Sequence, residues 1–295
     1  MSRSQHSPRR ALVTGVGGPS GQAAVAALKA KGFTVMAVDM RVVPHAADDF
    51  TRVPAASDAN YLPVIRDILS RQDIRWLVPT VSEELVLIAE AAPRIRREGV
   101  AVYIGAPESV RICNDKWDTA CALKKAGVAV PSSAIGDPDA PEVRALGFPV
   151  VSRPRVGRGG RGVVVHDRAG TAPAAANAVW QEFMPGAEYD VLMVAHPEAP
   201  REIMAAEVFE KTVLRDGRVG NALEVVRANA PDVARLAREA VAALGLSGPM
   251  DIDIRRGADG HLRVLEINAR IGAHALKAPV IFQALIRLFD EGCTG

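Results

Sequence analysis

The 295 residues carry 36 Lys and Arg against 34 Asp and Glu, and a formal net charge of +2 offers no broad attraction to nucleic acid or to an anionic membrane. A hydrophobic share of 48%, with 20 Pro and 25 Gly, is ordinary for a globular chain, and the length allows two or three domains with their own cores. The three cysteines, Cys113, Cys121 and Cys293, are odd in number and lack metal-ligand spacing, which argues against a disulfide framework and for reduced thiols in a cytoplasm.

Residues 1–8 read as a disordered tail, and MSRSQHSPRR has no apolar segment of the signal-peptide kind. No apolar run is long enough to span a membrane. Over residues 9–112, ALVTGV is a buried strand, Gly15, Gly17, Gly18 and Gly21 follow, and QAAVAALKAKG is a helix ending at Gly32 before the strand FTVMAVD. This βαβ unit puts a glycine-rich turn at a helix N-terminus, where free N–H groups favour an anion. Asp39 closes the second strand, where a dinucleotide-binding protein uses an acid on the ribose, so an NAD(P)-dependent dehydrogenase is one alternative. Against it, the Tyr-x-x-x-Lys of short-chain dehydrogenases is missing: the fourth residues after Tyr61, Tyr103 and Tyr189 are Ile65, Pro107 and Met193. A helix over 61–71, the strand RWLVPT, a helix from Glu83 to Arg97 and the strand AVYIG complete a small doubly wound sheet. Glu83 and Glu84 follow a strand's carboxyl end, where such sheets place ligands, which makes them candidate substrate contacts; acids starting a helix are equally explained by its dipole.

In residues 113–182, NDKWDTACALKKAGVAVP is a capped helix stopped at Gly127 and leading into a strand after Pro131. Lys116 sits in its first turn, the unfavourable end for a cation, so it has another partner or is solvated. FPVVSRPRVGRGGRGVVVH is a strand, a loop and a second strand. Gly157, Gly159, Gly160 and Gly162 would let backbone N–H groups approach phosphates, while Arg153, Arg155, Arg158 and Arg161 supply charge. It is not a Walker A loop, because it lacks the Lys-Ser or Lys-Thr ending and joins two strands. A mobile hairpin tip with solvated arginines is the simple alternative. The stretch from Arg155 to Gly162 is expected to find packing partners only when phosphates arrive, and 170–178 reads as an Ala-rich helix or connector.

From 183 onward, WQEFMPGAEYDVLMVA turns at Pro185-Gly186 and resumes as a strand at Glu188; two or three strands follow over 202–226, with a turn at Asp216-Gly217. A helix from Pro231 to Leu244 and an amphipathic last helix from Ala275 to Asp290 flank the most informative stretch, Gly248 to His274. There MDIDIR and HLRVLEIN alternate on either side of a tight Asp-Gly turn, a hairpin signature. Asp251 and Asp253 share one face of the first strand, and Glu266 and Asn268 one face of the second. Carboxylates with an amide carbonyl suit Mg²⁺ or Mn²⁺, and Arg270 adds a donor fork of the kind phosphoryl transfer uses.

In this order the motifs resemble the ATP-grasp superfamily, in the branch similar to the carbamoyl-phosphate synthase large subunit and its short carboxylate-amine ligase relatives, from Ala11 to about Leu288. The resemblance implies an α/β and α+β chain: a Rossmann-like pre-ATP-grasp domain (9–112), a lid subdomain (113–182) and a C-terminal subdomain with the metal site (183–295), the last two clamping ATP. By it, Lys116 and Arg153 contact phosphate and Gly159 and Gly160 belong to the lid. Glu182, Phe183 and Met184 meet adenine through backbone groups and Glu188 holds the ribose. Asp253, Glu266 and Asn268 hold the metal, the synthase having an amide in place of Asp253, and Arg270 stabilises the transferred phosphoryl group. Ala269 departs from the family's usual Pro, and the short C-terminus leaves little room for an appended substrate domain. The implied partners are ATP, a small carboxylic acid and an amine, amino acids among them, with neither nucleic acid nor membrane and with a homodimer compatible. The implied activity is carboxylate–amine ligation through an acyl phosphate. A carbamate or small-oxyanion kinase and a non-catalytic ATP-binding regulator remain alternatives. Lys211, Arg227 and His274 are further candidate substrate contacts.

Overall fold

The computed structural model describes residues 9–157, 159–168 and 177–292. The tail reading for 1–8, Arg158, most of the alanine-rich stretch and Cys293 therefore fall outside the described residues. The first layer runs β1 (Arg10–Thr14), α1 (Pro19–Ala30), β2 (Thr34–Asp39), β3 (Asp49–Arg52), α2 (Tyr61–Arg71) and β4 (Trp76–Val78). A 3₁₀ turn (Ser82–Glu84) then leads into α3 (Leu85–Arg97) and β5 (Ala101–Val102). The five strands form a parallel sheet in the order β3-β2-β1-β4-β5. Strand β3 is the addition to the sequence reading. DFTR has no apolar alternation, because an edge strand pairs on one side only and buries little.

Next come α4 (Pro107–Asn114) and α5 (Lys116–Lys125). Helix α4, absent from the sequence reading, crosses the expected boundary near 112 and buries only Val110 and Cys113, too few to show a period. A four-stranded antiparallel sheet follows, ordered β6-β9-β7-β8, from β6 (Ser133–Ile135), β7 (Val150–Arg153), β8 (Val164–His166) and β9 (Val179–Glu182), with the short helix α6 (Pro141–Arg144) against it. The remaining elements are β10 (Glu188–Ala195), β11 (Ile203–Leu214), β12 (Ala222–Arg227), α7 (Pro231–Leu244), β13 (Gly248–Arg256), β14 (Leu262–Asn268) and α8 (Pro279–Gly292). Their strands form an antiparallel sheet, β12-β11-β10-β13-β14.

Local chemistry explains the helix limits. In α7, Pro231 opens the helix where its missing N–H costs nothing, and Gly245 at φ 58° closes it in the left-handed conformation. Val233, Leu236, Ala237, Ala240, Val241 and Leu244 recur at helical spacing and are buried.

Strand β10 is buried along its whole length because both faces are covered. Tyr189, Val191 and Met193 face a core shared with α2, α3 and α7, whereas Leu192 and Val194 face a second core with α1 and α8. Each such side chain contributes about 1.5–3 kcal/mol. Both cores run into the N-terminal sheet; Trp76 of β4 stacks on Phe289 of α8 with centroids 5.3 Å apart. The four-stranded sheet has a small core of its own, around Ala134, Val143, Val150 and Trp180.

Candidate active site

The hairpin predicted from alternation pairs Asp251 with Asn268 and Asp253 with Glu266, and β10 adds Asp190 directly opposite Asp253. Because side chains repeat every second residue, Glu188, Asp190 and Leu192 share one face of β10. That face is therefore acidic at one end and apolar beneath α8 at the other.

Cations from distant segments meet these acids. Lys211 of β11 is buried between Glu188 Oε1 at 2.8 Å and Asp253 Oδ1 at 2.6 Å. Arg255 Nη1 lies 3.0 Å from Glu188 Oε2, and Arg270 Nη1 2.8 Å from Asp251 Oδ2. Across the cleft, Lys116 Nζ and Arg153 Nη1 approach Glu266 Oε2 at 3.3 and 3.4 Å, while Arg153 also donates to the carbonyl of Leu265. Burial alone would raise Glu266, but Lys116, Arg153 and Lys211 outweigh it and hold it at about 2. Burial pushes Asp251 up to about 7, with Asp190 adding to it against Arg270. Asp253 also rises to about 7, through burial opposed by Lys211 and reinforced by neighbouring carboxylates.

The question of Lys116 in a helix's first turn is answered by Asp115. Its Oδ1 accepts from the amides of Trp117 and Asp118, capping α5, and its Oδ2 takes Arg155 Nε at 2.7 Å. This turns Lys116 toward Glu266 and the carbonyl of Gly157, 2.9 Å from Nζ. Arg155 and Gly160, expected to find partners only with phosphates, thus have protein partners already. A Cβ on Gly160 would lie 2.8 Å from Gly220 Cα, because the loop rests on the β11–β12 turn, where Arg218 makes two bonds of 2.8 Å to Asp167.

Several candidates stand otherwise than expected. Glu84 does not face the cleft: it is buried and accepts from Thr14, Tyr61 and the amides of Thr80 and Val81, the last two at 3.0 Å. Burial raises its pKa despite those bonds. Its neighbour Ser82, with Asn114, Lys116, Glu266 and Asn268, instead lines a narrow cleft between the N-terminal layer and β14. Arg227 lies on outer strand β12, paired with Glu207 at 3.1 Å and separated from β10 by β11. The amides of Glu182 and Phe183 already donate to Ser132 and Pro149, so they are not free for a base. Both oxygens of Glu188 are in ion pairs.

The glycine-rich turn is explained by packing. A Cβ on Gly21 would fall 2.5 Å from the carbonyl oxygen of Gly15, and one on Gly15 would meet Val81 at 2.3 Å. Asp39 accepts from the amides of Gly17 and Arg41. Asp190 was the residue missed; the signal was present in EYD, two acids two residues apart on one strand, as in DID.

A β-hairpin of acids thus faces Lys116 of helix α5 and Arg153 of the second, smaller sheet, behind a parallel α/β layer. Residues 113–274 match the ATP-grasp domain and residues 12–103 the PylC-like N-terminal domain, and the chain belongs to the ATP-grasp family. Among similar solved structures is an L-amino acid ligase from Bacillus licheniformis, 17% identical, with a TM-score of 0.72 over 92% of this chain and 69% of that one. An N5-carboxyaminoimidazole ribonucleotide synthetase from Thermotoga maritima is 21% identical, with a TM-score of 0.67 over 94% and 75%. The Staphylococcus aureus N5-carboxyaminoimidazole synthetase complexed with ADP is 15% identical, with a TM-score of 0.64 over 91% and 73%. At these identities the likeness is one of fold. Family membership supports an ATP-dependent enzyme forming C–N bonds and does not favour the kinase, regulator or dehydrogenase alternatives. No helix among the described residues is long and apolar enough to cross a membrane.

Proposed function

We propose that the chain ligates a small carboxylic acid to an amine, using ATP to convert the acid to an acyl phosphate and releasing ADP and phosphate. The observation that carries this is the convergence of Lys116 and Arg153 on Glu266, at 3.3 and 3.4 Å, each more than a hundred residues from it in sequence. Two cations held against one carboxylate, Lys116 also by the carbonyl of Gly157 and Arg153 by that of Leu265, are suited to exchange the carboxylate for a triphosphate. Lys116 and Arg153 then neutralise phosphate oxygens, and Gly159 and Gly160 let the lid backbone approach them. Adenine lies against Met184 and the carbonyls of Glu182 and Phe183, and the ribose reaches Glu188, which shares its charge with Lys211 and Arg255.

Asp253, Glu266 and Asn268 would hold Mg²⁺ or Mn²⁺. Their donor set is hard oxygen throughout, and Glu266 stays ionised because cations hold its pKa at about 2. The ion supplies charge neutralisation on the terminal phosphates. Arg270, fixed by Asp251, presents its fork to the transferred phosphoryl group. The acid attacks as an anion at the γ-phosphorus and keeps one of its oxygens in the bridge; attack of the amine at carbon then leaves that oxygen on phosphate. With carboxylate-¹⁸O acid, one labelled oxygen is expected in the released phosphate. Label in AMP, or none transferred, would overturn the mechanism.

A further inference from the structure

Beside the arginine, the segment after β14 carries His274, whose Nδ1 lies 2.6 Å from Asp190 Oδ2. The imidazole is 20% exposed and the carboxylate 2%, so the ring is the open end and Asp190 its buried support. Asp190 Oδ1 is buried without a hydrogen-bond partner. Asp190, Asp251 and Asp253 each bring an oxygen within 4.8 Å of the others. Asp251 holds Arg270 and Asp253 holds Lys211, which leaves Asp190 to the histidine. The path of the segment is fixed as well: a Cβ on Gly272 would fall 2.2 Å from Leu192 Cδ2 and 3.0 Å from Asp251 Oδ2. His274 is thus tied, through two carboxylates on adjacent strands, to the arginine assigned to the phosphoryl group.

A carboxylate accepting at Nδ1 selects the Nδ1–H tautomer and leaves Nε2 with a lone pair. Forming the acyl phosphate needs no such base, because the acid attacks as its anion. The amine does need one, because it arrives as an ammonium ion without a lone pair. We propose that His274 is the proton acceptor for the amine substrate and that Asp190 positions it; this rests on the ligase reading above. His274 Nε2 takes one proton from the ammonium and frees its lone pair. The amine nitrogen then forms the C–N bond at the acyl carbon, the C–O bond breaks with its electron pair leaving on phosphate, and the nitrogen's second surplus proton goes to the released phosphate.

Hydroxylamine separates the two half-reactions, since near neutral pH it is an uncharged nucleophile and captures an acyl phosphate as a hydroxamate without a base. The probe is Mg-ATP with a pool of the proteinogenic amino acids, short carboxylic acids and short primary amines, read for amide by mass spectrometry and for hydroxamate by colour. In His274→Gln, amide formation is expected to fall about 100-fold or more while hydroxamate formation falls far less. Asp190→Asn gives the same split with a smaller loss, and free imidazole restores amide formation to His274→Ala. An equal fall of both products, or no loss of amide, in variants whose melting is unchanged overturns the proposal. Failure of the ligase reading shows differently: the wild-type protein then makes neither product from any member of the pool.

Discussion

Lys211 Nζ stands 2.6 Å from Asp253 Oδ1, the two side chains coming from strands separated by β10 and meeting across it largely shielded from solvent. Glu188 completes the group from β10 itself, so one ammonium cross-links three strands. Carboxylate attraction outweighs burial and raises the lysine well above its ordinary pKa. Replacing Lys211 by Met leaves Asp253 without its cation and Glu188 with Arg255 alone, a loss of about 3–5 kcal/mol. Urea unfolding in EDTA measures it, and a loss below about 1 kcal/mol would match an exposed pair instead.

The acids on this face also set a pH dependence. Asp251 and Asp253 titrate at about 7 in the folded protein against 3.8 in an unperturbed chain, so folding takes up protons between those values. The stability they contribute is fully present below pH 3.8 and is lost as pH rises through 7. Glu266, held at about 2 against an ordinary 4.5, acts in the opposite sense: its contribution is present above 4.5 and lost as pH falls toward 2. In metal-free protein, unfolding free energy is therefore expected to decline from about pH 5 to about pH 7, and the decline to flatten in Asp251→Asn with Asp253→Asn. An unchanged slope in the double variant would show that other groups carry it.

Glu266→Gln and Asn268→Ala are expected to abolish ATP turnover with the fold retained, since both side chains line an open cleft rather than a core. Arg270→Ala is expected to slow ADP release by about 1000-fold, the scale of an arginine that acts on a transferred phosphoryl group. Steady-state ADP release at saturating Mg²⁺ together with circular dichroism tests all three; near-normal rates in Glu266→Gln would refute its assignment to the metal.

The lid should respond to nucleotide even though its loop already has protein partners. Lys116 leaving Glu266 for phosphate carries with it the bond to Gly157, so Mg-ATP is expected to protect residues 155 to 162 from protease. Gly160→Ala, whose new Cβ would strike Gly220 at 2.8 Å from a backbone at φ 67°, is expected to raise KM for ATP and lower kcat together. Unaltered kinetics would mean that the loop's seat on the β11–β12 turn is incidental.

In the first layer, Gly21→Ala is expected to cost about 1–3 kcal/mol, because its methyl would meet backbone rather than a flexible side chain. The same packing leads to the expectation that NAD and NADP do not bind. Calorimetric titration tests this, and micromolar affinity for either would revive the dehydrogenase alternative.

What the sequence determined by itself was local. The limits of α2 and α7, the hairpin of β13 and β14, and the pairing of Asp251 and Asp253 with Asn268 and Glu266 follow from side-chain period, turn glycines and capping, which act within a few residues. Strand β3 and helix α4 escaped because an edge strand and a helix with two buried residues carry almost no period. Only tertiary structure decided that Lys116 and Arg153 meet Glu266, that Glu84 turns inward to Thr14 and Tyr61, and that Asp190 stands behind His274. Those pairings span 23 to 150 residues and depend on two cores, shared between the parallel sheet and β10, that bring the elements together. A charge's identity is written in the chain, but its partner is chosen by the apolar packing that fixes which strands and helices lie side by side.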